Sequence, residues 1–232
     1  MDSGLKEWLD REMDSYEVVF RAFNRRLMKK VPLWMALCVA GMVALGFGVG
    51  YAWPYVLRVH LPIGVGIAAF VWLCFWVQTR SVSMKKVRKS YEGTFEKLGA
   101  PDQAGFARQA PQCGTLDFLN GASDKYPARL TVGPDYWLYF RGGCQVFRVA
   151  DMQRLGVKEE TARVGYNLGD TRVRHNLGIG ISLIVGYRDG TTSAAKSPEA
   201  KIYLESTKQL KAAQELIQKR CPKARAMLEA MG

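Results

Sequence analysis

The stretch VPLWMALCVAGMVALGFGVGYA, Val31 to Ala52, runs for 22 residues without a charged side chain. As a helix rising about 1.5 Å per residue it would be roughly 33 Å long, enough to cross a hydrocarbon core of about 30 Å. A second uncharged stretch, LPIGVGIAAFVWLCFWVQ, covers the 18 residues from Leu61 to Gln78, near the lower limit for a span. The residues between them, Trp53 to His60, contain Pro54 and leave room only for a tight return. Two antiparallel transmembrane helices are therefore expected, at 31–53 and 61–79, joined by a short external loop at 54–60.

Charge around the spans sets their orientation. Arg21, Arg25, Arg26, Lys29 and Lys30 precede the first span, and Arg80, Lys85, Lys86, Arg88 and Lys89 follow the second, whereas the link holds only Arg58. Lys and Arg accumulate on the cytoplasmic side of membrane proteins, so both termini are expected there, in a multi-pass protein of the cell inner (plasma) membrane. Trp34 and Trp76 fall at the inner boundary, and Tyr51, Trp53 and Tyr55 at the outer one. No ionisable residue lies within either span as drawn, which argues against a transporter.

The first span carries small residues every fourth position: Ala36, Ala40, Ala44, Gly48 and Ala52. Such a stripe lets another helix approach closely. The expected use is packing against the chain's own second span, which carries Gly64 and Gly66. The competing use is a homo-oligomer.

Farther out, Leu9, Met13, Tyr16, Phe20, Phe23 and Leu27 are spaced 4-3-4-3-4, a heptad seam on a polar helix. Met84, Val87, Tyr91, Phe95 and Leu98 repeat the pattern after the second span. Residues 1–30 and 80–98 are thus expected to continue the hairpin as a paired cytoplasmic helical stalk. Gly99, Pro101, Gly105 and Pro111 then mark 99–112 as a linker.

From Cys113 the period changes to that of strands. Thr115–Leu119, Ala128–Val132, Tyr136–Arg141, Cys144–Val149, Leu155–Glu160, Thr171–His175, Ile179–Arg188 and Thr191–Ala195 are candidates, with Gly142-Gly143 and Asp189-Gly190 as hairpin turns. Ser197-Pro198-Glu199 reads as the start of a final helix that Pro222 ends. The fold class is α+β: a two-helix transmembrane hairpin, then an antiparallel β domain of about seven strands over 113–232, capped by a C-terminal helix.

Composition limits the function classes. The net charge of +12 is shared evenly, with 14 Lys and Arg against 8 Asp and Glu in residues 1–98, and 19 against 13 afterwards. No dense basic stripe or nucleic-acid motif accompanies it, so anionic lipid is the expected counterpart and no nucleic acid is expected. The five cysteines never take CxxC spacing, and no HExxH, Walker loop or paired-carboxylate signature occurs. Neither a cofactor nor a metal nor an enzymatic activity is expected.

The segments Leu130-Thr131 to Tyr136-Trp137-Leu138, Phe147 to Met152, Tyr187-Arg188-Asp189-Gly190, and Leu216 to Arg220 before Cys221-Pro222 resemble uncharacterised bacterial two-span membrane proteins with a cytoplasmic pleckstrin-homology-like domain. The resemblance covers roughly residues 113–222. It implies a bent sheet or partly closed barrel covered by the last helix, presented at the inner leaflet to bind a protein partner or anionic lipid headgroups. Lipid-binding members of that class place Lys and Arg in the first strand loop, but Asn120 to Pro127 here offers only Lys125. The richer candidate contact for an anionic partner is Arg163, Arg172, Arg174 and His175. The alternative function is an oligomeric pore or secretion-related membrane component assembled through the small-residue face of the first span.

Overall fold

The computed structural model describes residues 3–81, 83–118, 126–168, 171–187, 199–204 and 206–229, with the side chains of 78, 80, 81 and 160–180 outside the described set. It is helical with antiparallel sheets, an α+β chain of two compact units. One unit comprises residues 14–86 and 121–126. The other comprises 1–13, 87–120 and 127–232.

Helix α1 spans Ser3–Gly48, and Pro32 lies inside it. It stops at Gly50, whose φ of +88° an L side chain rarely adopts. There the Gly50 amide donates to Phe47 O (2.9 Å) and the Tyr51 amide to Gly46 O (3.1 Å). These two bonds form the Schellman arrangement that satisfies the last carbonyls of a helix. Only Val49 to Ala52 make the return. The residues expected as an external loop, 54–60, are instead helical: α2 (Trp53–Tyr55), a π-helical turn (Val56–His60) and α3 (Leu61–Ser81) follow without a break. Pro54 sits in the first turn of this run, where its missing N–H costs nothing. Arg58 and His60 therefore belong to the helical run Trp53–Val77, not to a loop.

Glycines set the approach of the two apolar helices. A Cβ on Gly64 would lie 3.1 Å from Val39 Cα, and one on Gly46 would lie 3.0 Å from His60 Cγ. The expected packing of Ala36, Ala40, Ala44, Gly48 and Ala52 against the second apolar helix does not occur, because all five are exposed. Gly46 and Gly64 make the contact on another side of α1.

In the second unit, β1 (Gly114–Phe118), β2 (Ala128–Val132), β3 (Tyr136–Phe140) and β4 (Cys144–Arg148) form an antiparallel meander. Phe140 pairs with Cys144, so the β3–β4 turn has three residues, 141–143, rather than the expected two, and Gly142 takes a φ of +75°. A second sheet joins β5 (Met152–Leu168), β6 (Thr171–Tyr187) and β7 (Glu199–Leu204) in that order. Leu130, Val132, Trp137 and Tyr139 from the first sheet and Leu155, Leu183 and Val185 from the second share one core with Leu210, Ala213 and Ile217 of α6 (Thr207–Arg220). Helix α7 (Pro222–Glu229) adds Ala224 and Leu228. Burying such side chains stabilises by about 1.5–3 kcal/mol each.

The other face of the first sheet is covered too, which is why all five residues of β2 are buried. The first residues of α1, with α4 (Met84–Glu96) and α5 (Ala100–Gln109), lie over it. Tyr91 stacks on Phe140 at 5.4 Å, and Trp8 meets Phe95 and Phe106 edge-on at 5.9 and 4.7 Å. Arg88 bridges Asp10 at 2.6 Å. Within this unit the expected stalk residues Leu9, Met13, Val87, Tyr91, Phe95 and Leu98 are buried as a wall of the β unit, not as a free-standing helix pair.

Three sequence expectations change. The expected linker 99–112 contains helix α5, because Pro101 is welcome in a first turn and Gly105 lies beneath Tyr136, 3.1 Å from where a Cβ would sit. Gln109 then holds the β2–β3 turn, accepting from the Asp135 and Tyr136 amides (2.8 and 3.1 Å) and donating to Tyr136 O (3.0 Å). The final helix does not start at Ser197. Residues 199–204 pair with β6, and the helix starts at Ser206, whose hydroxyl accepts from the Gln209 amide. Two expected strands, Thr171–His175 and Ile179–Arg188, are one strand, β6, as far as Tyr187. Thr191–Ala195 and the Asp189-Gly190 turn lie outside the described residues.

Candidate functional site

The four basic candidates lie on the long β5–β6 ribbon. Arg163 pairs with Asn176, Gly165 with Arg174, Asn167 with Arg172, and Val164 with His175. Paired positions of antiparallel strands share a face, and the face alternates along each strand. Positions 163, 172 and 174 therefore fall on one face of the ribbon and position 175 on the other. β7 pairs with β6 only from Ile181 to Gly186, so these positions lie beyond the three-stranded part of the sheet. The sequence expectation placed Arg172 and Arg174 on one face. The register brings Arg163 to that face and separates His175.

A second constellation was missed. Arg129 on β2 is 1% exposed at its side chain and faces two carboxylates. Its Nε and Nη2 donate to the two oxygens of Asp117 on β1 at 2.6 and 2.9 Å. Its Nη1 lies 3.1 Å from Glu12 Oε1 and donates to Glu12 O at 3.3 Å. Thr131 Oγ1 donates to the same Glu12 carboxylate at 3.3 Å. Burial pushes the Glu12 carboxyl above its ordinary value, and this outweighs the opposing pull of Arg129. Burial lowers Arg129, yet its hydrogen bonds to Asp117 and the two nearby carboxylate charges raise it on balance. The group fastens the start of α1 to the sheet. The available signal was the alternation Ala128-Arg129-Leu130-Thr131-Val132, with polar side chains on the face the helices cover.

Burial pushes the Cys113 thiol up to about 12, and burial also raises Cys144 and Cys221. An activated thiol shifts the other way. Cys113 Sγ donates to Gln109 O, Cys221 Sγ donates to Pro134 O, and the side chain of His175 is outside the described set. Among the described residues no three His, Cys, Asp or Glu side chains gather as metal ligands. The edge of β4 is occupied at Cys144, whose amide donates to Ser90 Oγ (2.9 Å) and whose carbonyl accepts from Thr94 Oγ1 (3.1 Å).

The hairpin unit shows a different surface. Among the described residues, 17 of the 20 exposed large hydrophobic side chains lie between Leu33 and Val77. Only 11% and 17% of the two most apolar windows are buried, so neither helix is the core of this fold. Both helices are long and apolar enough to cross a membrane. Comparison of the chain with protein-family models, with curated proteins and with solved structures finds no match.

Proposed function

We propose that this chain is a membrane-anchored, non-enzymatic interaction protein that presents a pleckstrin-homology-like domain at the inner leaflet. The supporting observation is the concentration of exposed apolar side chains between Leu33 and Val77, in a chain whose β unit has its own closed core. Such a belt suits a hydrocarbon environment and is unfavourable in water. The four-stranded meander, the three-stranded sheet and the covering helix α6 support the pleckstrin-homology-like reading. The domain takes a protein or an anionic surface as partner, with Arg163, Arg172 and Arg174 on one ribbon face as the contact. Reporter enzymes fused to the C-terminus should be active only on the cytoplasmic side. Activity on the outer side sinks the orientation.

A second reading, a homo-oligomeric membrane component, is favoured by the exposure of Ala36, Ala40, Ala44, Gly48 and Ala52. Close helix approach through that stripe requires small side chains. Ala44→Leu with Gly48→Leu should then reduce the native mass in detergent to that of a monomer. An unchanged mass removes this reading.

A further inference from the structure

We propose that the cytoplasmic end of the α1–α3 pair binds an anionic phospholipid, with its headgroup on Arg25, Arg26, Lys29 and Lys30 and its acyl chain along the Trp72–Trp76 face of α3. The proposal rests on the membrane reading above and names a partner for the anchor itself. Three observations carry it.

The first is charge without compensation. No acidic residue occurs anywhere from Val18 to Tyr91. Arg25, Arg26, Lys29 and Lys30 on α1 and Lys85 on α4 are exposed. Arg21 is engaged with Glu17 at 2.7 Å, but no ion pair reaches these five among the described residues. Like charges crowded on adjacent turns repel, and an external anion relieves that repulsion.

The second is the stagger of the pair. Gly64 lies against Val39 and Met42, and Gly46 against Val56 and His60. Level positions on the antiparallel helices therefore have numbers adding to about 104. Carried along both helices at the same rise per residue, Lys30 is level with Cys74 and Arg26 with Gln78. The cations of α1 thus stand beside the last apolar turn of α3, not below it.

The third is the wall at that height. Trp72 and Trp76 stack at 6.2 Å with 19° between their planes. Trp72, Leu73 and Val77 are exposed. A phosphodiester at the cations would have its first acyl carbons at the height of this surface. Indole rings favour the boundary between headgroups and chains. A soluble anion would use the cations and leave the wall uncovered, so the surface fits a lipid.

The test uses the full chain in detergent micelles with tryptophan emission as the readout. Phosphatidylglycerol brominated on its acyl chains should quench at a lipid fraction at least about fivefold lower than brominated phosphatidylcholine, and about 0.5 M salt should erase the difference. Replacing Arg25, Arg26, Lys29 and Lys30 with Gln should remove the preference, whereas Lys208→Gln with Lys211→Gln should keep it. If the fourfold variant does not fold, Lys29→Gln with Lys30→Gln must still weaken the preference, and Lys29→Arg with Lys30→Arg must retain it. Equal quenching by the two lipids overturns the proposal. So does competition by millimolar inorganic phosphate, or an equal loss in the Lys208 and Lys211 variant. A chain that remains dispersed without detergent would sink the membrane reading instead, which keeps the two failures distinct.

Discussion

Arginine at both Leu45 and Val65 is expected to remove the chain from the membrane fraction. Both side chains are already exposed, at 57% and 52%, and neither fills a core. In a water-soluble protein these substitutions would be neutral or would improve solubility, since exposed positions tolerate charge. In a bilayer they place a cation within each apolar run, Val65 near the middle and Leu45 in the last turn of α1, at up to about 3 kcal/mol each relative to the apolar residue. The sites are on different helices, so the effects should add to at most roughly 6 kcal/mol, a factor of up to about 10⁴ in insertion. The measurement is the share of protein left in carbonate-washed membranes. Full retention of the double variant would refute the membrane reading, and the opposite signs of the two expectations make the outcome decisive.

Arg129→Met should be the most damaging single substitution in the β unit. The native guanidinium, itself buried, offers the half-buried Asp117 both Nε and Nη2 and lies against the buried Glu12. Methionine fills similar volume but leaves the buried Glu12 carboxylate and the half-buried Asp117 carboxylate without a cation. Removing one partner of a buried ion group costs about 3–5 kcal/mol. Glu12→Gln should cost much less, because the amide keeps the Thr131 and Arg129 contacts and Arg129 retains Asp117. The pH dependence follows from Glu12, whose carboxyl burial holds above its ordinary value near 4.5. A carboxyl raised in the folded state adds stability that is complete below the unfolded value and is lost as pH rises through the folded value. Removing Arg129 takes away the charge that opposes this rise, so the loss steepens. The deficit of Arg129→Met against the native chain should be larger at pH 8 than at pH 5 in thermal melts. A deficit independent of pH would mean that Glu12 is not the group left uncompensated.

The sequence made the apolar helices legible because each is a long run without a charged side chain, a pattern that few other elements share. The meander from β1 to β4 was legible for a similar reason: Tyr136 to Phe140 and Cys144 to Arg148 flank a glycine turn, and their alternation is local. Other elements depended on contacts far away in sequence. Glu199 to Leu204 is a strand because β6 pairs with it, although Ser-Pro-Glu before it imitates a helix start. The true start offers Ser206 and Gln209 at capping-box spacing. Gly105 and Pro101 look like breakers until Tyr136 is placed above the first and a first helical turn around the second. Arg129 looks like a surface residue of a half-exposed strand until the start of α1 covers it. The small-residue stripe pointed to the chain's own second apolar helix as its partner, with a second copy as the competing use, but all five residues are exposed and the glycines on another side of α1 make the contact. For the ribbon, the alternation of Arg172 and Arg174 was visible, whereas the arrival of Arg163 on their face depends on a register that no local pattern encodes.

Helix α1 gives its first residues to the β unit, and the Arg129 they close upon lies 117 residues further along the chain than Glu12. The order of synthesis turns that separation into time. At about 5–20 residues per second, roughly 6–23 s pass between the emergence of Glu12 and that of its partner. Both apolar helices are made within that interval, so they are delivered to their surroundings while Leu5, Trp8 and Leu9 still await a sheet to cover them. The N-terminal turns are the first part of the β unit to be translated and among the last to find their place, so both apolar helices emerge before the domain can close.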